Sequence, residues 1–368
     1  MSQITLPVSL GEALDKLTIL EIKLLRISDS RREDCQKEHD LLLLQLKQYK
    51  DRFEHYYRLL LNINTTLWDI QDKFHGKDIS PEEAAAIAKL ILEENDRRFR
   101  VKLMINRASE SNLKEQKGYK LKKVFFYGHL GLGDMFWMNG AVRYLATAYD
   151  EVAIVCKKKN EINVRMMYAD LKSINILLIE HDAQIQPFAA YRPHIENDGY
   201  TVLTCGFHKE GGRVYEFPFS FYDDLKLPRE VRQTYFHVPT FVEAVKLWEE
   251  VSAVSPQYVI LHTQSSVQTL DIWKNAVVRN PNIPILDINK NQYEEGHPFF
   301  SIGQKVSGQP MLFYKTLLEG AKEIYCIESS MYCFASHLDL SRVEKKYCYS
   351  ACDNSDIRIG VFEPGPSA

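Results

Sequence analysis

Residues 122–134 read Lys-Lys-Val-Phe-Phe-Tyr-Gly-His-Leu-Gly-Leu-Gly-Asp, the stretch of this 368-residue chain whose residue types and spacing best suit chemistry. The apolar run 124–127 predicts a strand, the glycines a tight loop and 135–148 a helix. Gly128, Gly131 and Gly133 let the backbone turn sharply and let another molecule come close. Asp134 then falls where a strand passes into a helix, the usual place for a nucleotide, phosphate or sugar in an open α/β sheet. A carboxylate there can take the proton of an incoming hydroxyl as a general base. It can equally cap its own helix, which acidic side chains do well at that end. His129 is the second candidate base, with a structural loop histidine as its alternative.

The run Ile324-Tyr325-Cys326-Ile327-Glu328-Ser329-Ser330-Met331 repeats the strand-into-helix pattern. Ser329 and Ser330, with the amides of a helix start, form a cradle for a diphosphate, and Glu328 suits a pair of sugar hydroxyls. The alternative is an ordinary serine N-cap. His262-Thr263-Gln264-Ser265-Ser266 closes another apolar strand and offers polar contacts to donor phosphates, with Trp273-Lys274 as an aromatic wall and a cation. Asp287-Ile288-Asn289-Lys290-Asn291-Gln292-Tyr293, continuing to Glu295-Gly296-His297, supplies polar, basic and aromatic groups for a base, a ribose or a phosphate. An ordinary loop is the alternative for each.

Absences narrow the chemistry. No Asp-x-Asp follows a strand, which disfavours a metal-dependent transferase of the single-Rossmann type. No G-x-x-x-x-G-K-[ST] is present, which disfavours a P-loop NTPase. The glycines miss the G-x-G-x-x-G spacing, and the second strand ends in Cys156-Lys157-Lys158-Lys159 rather than an acid, which disfavours a dinucleotide dehydrogenase. That lysine run reads as a solvated turn, with contact to an anionic ligand as the lesser alternative.

Net charge is −3, so nothing global favours nucleic acid. The chain is long enough for two or three domains. Its seven cysteines include no C-x-x-C pair and suit reduced, buried thiols in a cytoplasmic chain. A metal site built on Cys348, Cys352 and a histidine is a minor alternative. Neither a signal peptide nor a membrane span is expected.

The elements that must position these groups come in two kinds. Residues 1–118 predict a helical domain. Ser9-Leu10-Gly11-Glu12 has a capping-box arrangement before a stripe at Leu10, Leu14, Leu17, Leu24 and Ile27. A second, much longer helix is expected over 31–74 with Gly76 as its stop, and a third from Ser80-Pro81-Glu82-Glu83. Such helices need a partner surface along their length, and a long hairpin extended by self-association into a homodimer is one solution. From 119 the pattern changes to short strands alternating with helices. Strands are expected at 124–127, 152–156, 174–179 and 201–205, then at 258–262, 283–287, 323–326 and, last, 345–349. Residues 163–171, 241–252, 311–321 and 329–337 read as helices and 213–221 as irregular. Two α/β lobes follow, 119–245 and 246–368, facing each other across a cleft.

Two resemblances rest on these residues. Gly128-His129-Leu130-Gly131-Leu132-Gly133-Asp134, with Gly140-Ala141-Val142-Arg143-Tyr144-Leu145 after it, resembles the N-terminal lobe of GT-B glycosyltransferases. The nearest group is the heptosyltransferase-like one, whose first loop carries a catalytic aspartate. Glu328-Ser329-Ser330, followed by Ala335 and His337, is similar to the donor-diphosphate helix of that group. Residues 8–23 (VSLGEALDKLTILEIK) resemble a helical family of uncharacterised function associated with sugar handling. The resemblance implies an α/β fold of two Rossmann-like lobes behind an all-α domain. It implies metal-independent transfer of a sugar from a nucleotide-sugar donor to a hydroxyl acceptor, with no cofactor. Asp134 would be the base and Ser329 and Ser330 the diphosphate cradle, with His262, Gln264 and Lys290 as secondary donor contacts. A non-catalytic nucleotide-sugar-binding scaffold, or an epimerase or hydrolase on the same fold, remains the alternative.

Overall fold

The computed structural model describes residues 6–74, 79–118, 120–185, 188–206, 217–266, 268–352 and 356–360. Four helices open the chain: α1 (Leu10–Arg26), α2 (Arg31–Arg52), α3 (Glu54–Phe74) and α4 (Pro81–Ala108). The expected caps form. Ser9 Oγ accepts from the Glu12 N–H at 3.3 Å, and Ser80 Oγ accepts from that of Glu83 at 3.1 Å, with Pro81 in the first turn. The expected stop at Gly76 lies outside the described residues.

The single helix expected over 31–74 is instead two. Phe53 leaves helical geometry (φ −110°, ψ 29°) with its ring buried. The two halves need different directions: α2 lies along α1 with Leu46 as its one buried residue, whereas α3 sinks Tyr56, Leu60, Ile63 and Leu67 against α1 and α4. Gly11 lets α1 cross α4 closely, since a Cβ there would stand 2.5 Å from the Lys102 carbonyl oxygen. Asn106 fixes the crossing by accepting from the Gly11 N–H at 2.7 Å and donating to Ser9 Oγ at 3.1 Å.

The first α/β lobe runs β1 (Lys123–Tyr127), α5 (Leu132–Ala148), β2 (Glu151–Lys157), α6 (Glu161–Met167), β3 (Ile174–Ile179), α7 (Phe188–Asn197) and β4 (Tyr200–Thr204). Then come α8 (Phe217–Asp224), α9 (Val231–Thr234) and α10 (Val242–Val254). Its sheet is parallel throughout, in the order β3-β2-β1-β4. The second lobe holds β5 (Val259–His262), α11 (Trp273–Arg279), β6 (Ile285–Asp287), α12 (Phe300–Val306), α13 (Lys315–Glu319), β7 (Glu323–Ile327), α14 (Ser330–Ala335), β8 (Lys345–Cys352) and β9 (Asp356–Gly360). Its order is β6-β5-β7-β8-β9, parallel except for β8 with β9. The fold class is the expected one: two Rossmann-like, GT-B-like lobes behind an all-α region.

Several details differ from expectation. The segment 213–221, read as irregular, carries α8 from Phe217; residues 213–216 lie outside the described ones. Residues 311–321 begin as a 3₁₀ turn (Met311–Tyr314) before α13. The strand at 345–349 is not the last, because β9 (Asp356–Gly360) follows it in the chain and pairs antiparallel with β8.

Strands β1, β2, β5, β6 and β7 are buried on both faces, whereas the edge strand β3 is partly exposed along its length. One core runs from the helical domain through the first sheet to the second, and a smaller cluster (Val259, Leu261, Tyr325, Ile327, Tyr349) fills the far side of the second sheet. At the join with the helices, buried Arg143 of α5 holds Asp170 at 2.8 and 2.9 Å, and the Tyr56 hydroxyl donates to the same carboxylate at 2.5 Å. His55 stacks on His237 beside them, 4.3 Å between centroids. Among the described residues no helix is long and apolar enough to cross a membrane.

Candidate active site

β1 ends at Tyr127 and the chain turns through the glycine loop into α5, whose N-cap is Gly131 (φ −71°, ψ 145°). None of the three loop glycines has a positive φ, so their use is the missing Cβ. A Cβ on Gly128 would lie 2.4 Å from Met138 Sδ, one on Gly131 would lie 2.6 Å from Asp134 Oδ2, and one on Gly133 would lie 3.0 Å from Cys333 Sγ. A side chain at any of the three would thus meet protein, while the backbone of Gly128 and Gly131 also lines the cavity beside Asp134.

Asp134 folds back over the start of its own helix, so that a Cβ on Gly131 would stand 2.6 Å from its Oδ2 and the Gly131 N–H favours the charged carboxylate. Its position suits a cap. The same carboxylate also borders a cavity of about 310 Å³, together with Tyr127, His129, Lys157 and Asp182. Burial raises its pKa above the ordinary value, while His129, the Gly131 N–H and Lys157 pull the other way without cancelling the rise. His129 packs edge-on against Phe221, 5.5 Å between centroids.

Lys157 closes β2 and pairs with Asp182, just beyond β3, at 2.8 Å. Tyr127 closes β1, and its ring stacks on Phe188 at 4.7 Å. Sequence reasoning did not single out Tyr127 or Asp182, and read Lys157 as a solvated turn with contact to an anionic ligand as the lesser alternative. The available signal was position, since each stands at the carboxyl edge of a parallel strand, where open α/β sheets bind ligands.

On the second lobe, β7 runs through exposed Glu328 into α14. Ser329 is its N-cap: the hydroxyl accepts from the Met331 N–H at 3.2 Å, donates to the Ile327 carbonyl at 3.1 Å and lies 3.3 Å from His262 Nδ1. His262 is buried, and burial pulls its pKa down to about 4, so the ring sits behind the serine rather than on an open surface. Gln264 and Lys290 are exposed on neighbouring loops. Asn289 ties those loops together, accepting from the Thr263 and Gln264 N–H groups at 2.8 and 2.9 Å and donating to the Gln264 carbonyl at 3.1 Å. Beneath it, buried Asp287 accepts from Thr263 Oγ1 at 2.8 Å and Gln292 Nε2 at 2.6 Å.

The two loops singled out by sequence meet. A Cβ on Gly133 would lie 3.5 Å from Cα of Ser330, and behind this contact Phe136 stacks on Phe334 at 4.8 Å. Ser330 thus stands one residue's breadth from the Asp134 loop, while none of His262, Gln264, Lys290, Glu328, Ser329 and Ser330 is among the described residues lining the cavity, which all belong to the first lobe. Among the described residues no group of three or more His, Cys, Asp or Glu side chains could hold a metal ion. Cys348 is buried opposite Cys326 in the sheet, and the Cys352 side chain lies outside the described residues.

Residues 4–124 match a family of unknown function (DUF6165). None of the curated proteins matches the chain. Among solved structures it is similar to TibC of enterotoxigenic E. coli H10407, described as a dodecameric, iron-containing glycosyltransferase. Identity is 14% and the TM-score 0.37, over 62% of this chain and 59% of TibC. This chain therefore matches less than two thirds of that protein's length. It is also similar to E. coli ADP-heptose LPS heptosyltransferase II, at 10% identity and TM-score 0.39 over 61% of this chain and 89% of that one. A third likeness is to E. coli heptosyltransferase WaaC with ADP-2-deoxy-2-fluoro heptose, at 11% identity and TM-score 0.33 over 64% and 90%. The fold of the present chain is read from its own strand orders.

Proposed function

We propose that the chain transfers a sugar from a nucleotide-sugar donor to a hydroxyl of a glycan or glycoconjugate, without help from a metal. The observation that carries this reading is the meeting of the Asp134 loop with the start of α14 at Gly133 and Ser330. It brings the residue next to a half-buried carboxylate up to a helix start, the carboxylate suited to a proton and the helix start to a diphosphate.

In the step, the acceptor hydroxyl gives its proton to Asp134 as its oxygen bonds to the anomeric carbon. The bond from that carbon to the diphosphate breaks, and the nucleoside diphosphate leaves with the electron pair. Ser330 and the first amides of α14 would meet the charge that develops on the leaving group. Ser329, held by its own turn, would keep that helix start in place. Glu328 would bind sugar or ribose hydroxyls, and His262, Gln264 and Lys290 would shape the donor side. The raised pKa of Asp134 makes it a better proton acceptor than an exposed carboxylate.

The folding of Asp134 back onto Gly131 favours a second reading, a nucleotide-sugar-binding protein without turnover. One experiment separates them. Thermal shift against UDP-, GDP-, ADP- and CMP-sugars identifies a donor, and release of its nucleoside diphosphate is then followed for the wild type and for Asp134→Asn. Turnover that falls about 10²–10⁴-fold in the variant, with the donor-induced shift retained, supports the base. Binding without turnover in the wild type favours the second reading, and unchanged turnover in the variant removes Asp134 from the chemistry.

A further inference from the structure

We infer that the cavity beside Asp134 is a subsite for an uncharged pyranose unit of the acceptor, held by Tyr127, Lys157 and Asp182. The inference takes the place of the acceptor from the transferase reading; the identity of the sugar class comes from the cavity itself.

Size and charge decide the class. At about 310 Å³ the cavity is at the small end of ligand sites, suited to a short saccharide rather than a whole nucleotide sugar. Among the described residues its carboxylate and ammonium lining is Asp134, Asp182 and Lys157, two carboxylates against one ammonium. Lys157 is already neutralised, because its ammonium is bonded to Asp182 at 2.8 Å and the side chain is largely covered. An anionic sugar would have to pull Lys157 away from Asp182 while facing Asp134. Like charges in a partly desolvated site repel strongly.

A neutral ring has no such conflict. A sugar hydroxyl is both donor and acceptor, so one can accept from Lys157 Nζ while it or its neighbour donates to the Asp182 carboxylate, leaving the ion pair intact. Tyr127 supplies an apolar surface for the C–H face of the ring, and stacking on Phe188 (4.7 Å, 24° between planes) holds its side chain in one orientation. Tyr127 and Lys157 close the adjacent parallel strands β1 and β2, and Asp182 opens the short 3₁₀ turn (Asp182–Gln184) that follows β3. Sheet hydrogen bonds therefore hold the first two, and the turn after β3 brings the third to Lys157.

The test is direct binding by the full chain, measured by saturation-transfer NMR against neutral oligosaccharides of hexose and heptose and against uronic-acid, sialic-acid and phosphorylated counterparts. The wild type is expected to bind neutral members. Lys157→Met and Tyr127→Ala, each checked for native circular dichroism and melting temperature, should weaken that binding at least tenfold. Asp182→Asn, which releases Lys157 from its pair, should shift preference at least tenfold towards the anionic members. A wild type that prefers anionic saccharides, or binds none, overturns the inference. So does Tyr127→Ala binding as the wild type does, which would leave Lys157–Asp182 as a strut between β2 and the β3 turn. Because binding is read without donor or turnover, failure of the transferase reading leaves this result interpretable.

Discussion

Gly133 lies in the first turn of α5 and Ser330 opens α14 in the other lobe, yet a methyl group on the first would lie 3.5 Å from the Cα of the second and 3.0 Å from Cys333 Sγ. The lobes touch here, and Phe136 on Phe334 (4.8 Å) and Trp137 against Tyr332 (6.4 Å) continue the contact along both helices. Gly133→Val should push α14 away from α5, destabilise the fold by about 1–3 kcal/mol and weaken donor binding. Gly133→Ala should do less, and Cys333→Ala should relieve part of that smaller effect. Urea unfolding of the three single variants and of Gly133→Ala/Cys333→Ala gives the coupling; additive effects would mean that the contact is not shared.

A second prediction concerns acid. Burial lowers the pKa of both stacked imidazoles, that of His237 to about 3, with Arg143 adding to the effect on each. Unfolded histidines take up a proton near pH 6.5. Between there and pH 3 the unfolded chain thus binds more protons than the folded one, and stability must fall as pH falls. Lower still, Asp170 acts in the same direction: burial alone would raise its carboxyl, but Arg143 holds it well below the usual range, and the stability this gives is lost as the carboxyl is protonated. The urea midpoint should drop from pH 7 to 5, and the slope should be shallower in His237→Phe. A wild-type midpoint constant over this range would contradict the burial of the pair.

Arg143 itself should be hard to replace. Arg143→Met leaves the Asp170 carboxylate buried with only Tyr56 and distant His237 to offset its charge. Removing one partner of a buried pair costs about 3–5 kcal/mol. The double variant Arg143→Met/Asp170→Asn should recover a large part of that loss, as read by thermal or chemical unfolding.

In the helical domain the sensitive position is Gly11. An alanine there would place its methyl group 2.5 Å from the Lys102 carbonyl, which is backbone and cannot swing aside. Gly11→Ala should destabilise by about 1–3 kcal/mol although alanine is the better helix former. A stabilised variant would show that α1 and α4 do not cross this closely.

Much of this architecture is legible in the sequence because its signals are local. Val124-Phe125-Phe126 and Ile324-Tyr325-Cys326-Ile327 are short apolar runs bounded by polar turns, and Ser9 and Ser80 announce helix starts in their own four residues. What stayed hidden depends on distant neighbours. Phe53 breaks a helix with neither glycine nor proline, because the halves on either side pack on different partners. Lys157 looks solvated until Asp182, 25 positions later, comes within 2.8 Å of it. The glycines of the first loop suggested a close approach, and only the positions of Met138, Asp134 and Cys333 reveal which protein atoms approach them.

α5 joins these parts. It is a 17-residue rod, about 25 Å long, buried along most of its length. At its far end Arg97 of α4 lies over Tyr144 at 4.5 Å and donates to Thr147 Oγ1 at 3.3 Å. At its near end are Asp134 and the contact with α14. The helical domain and the candidate carboxylate are thus fastened to opposite ends of one buried helix, so a change in how α4 seats on Tyr144 and Thr147 bears on the same element that carries Asp134.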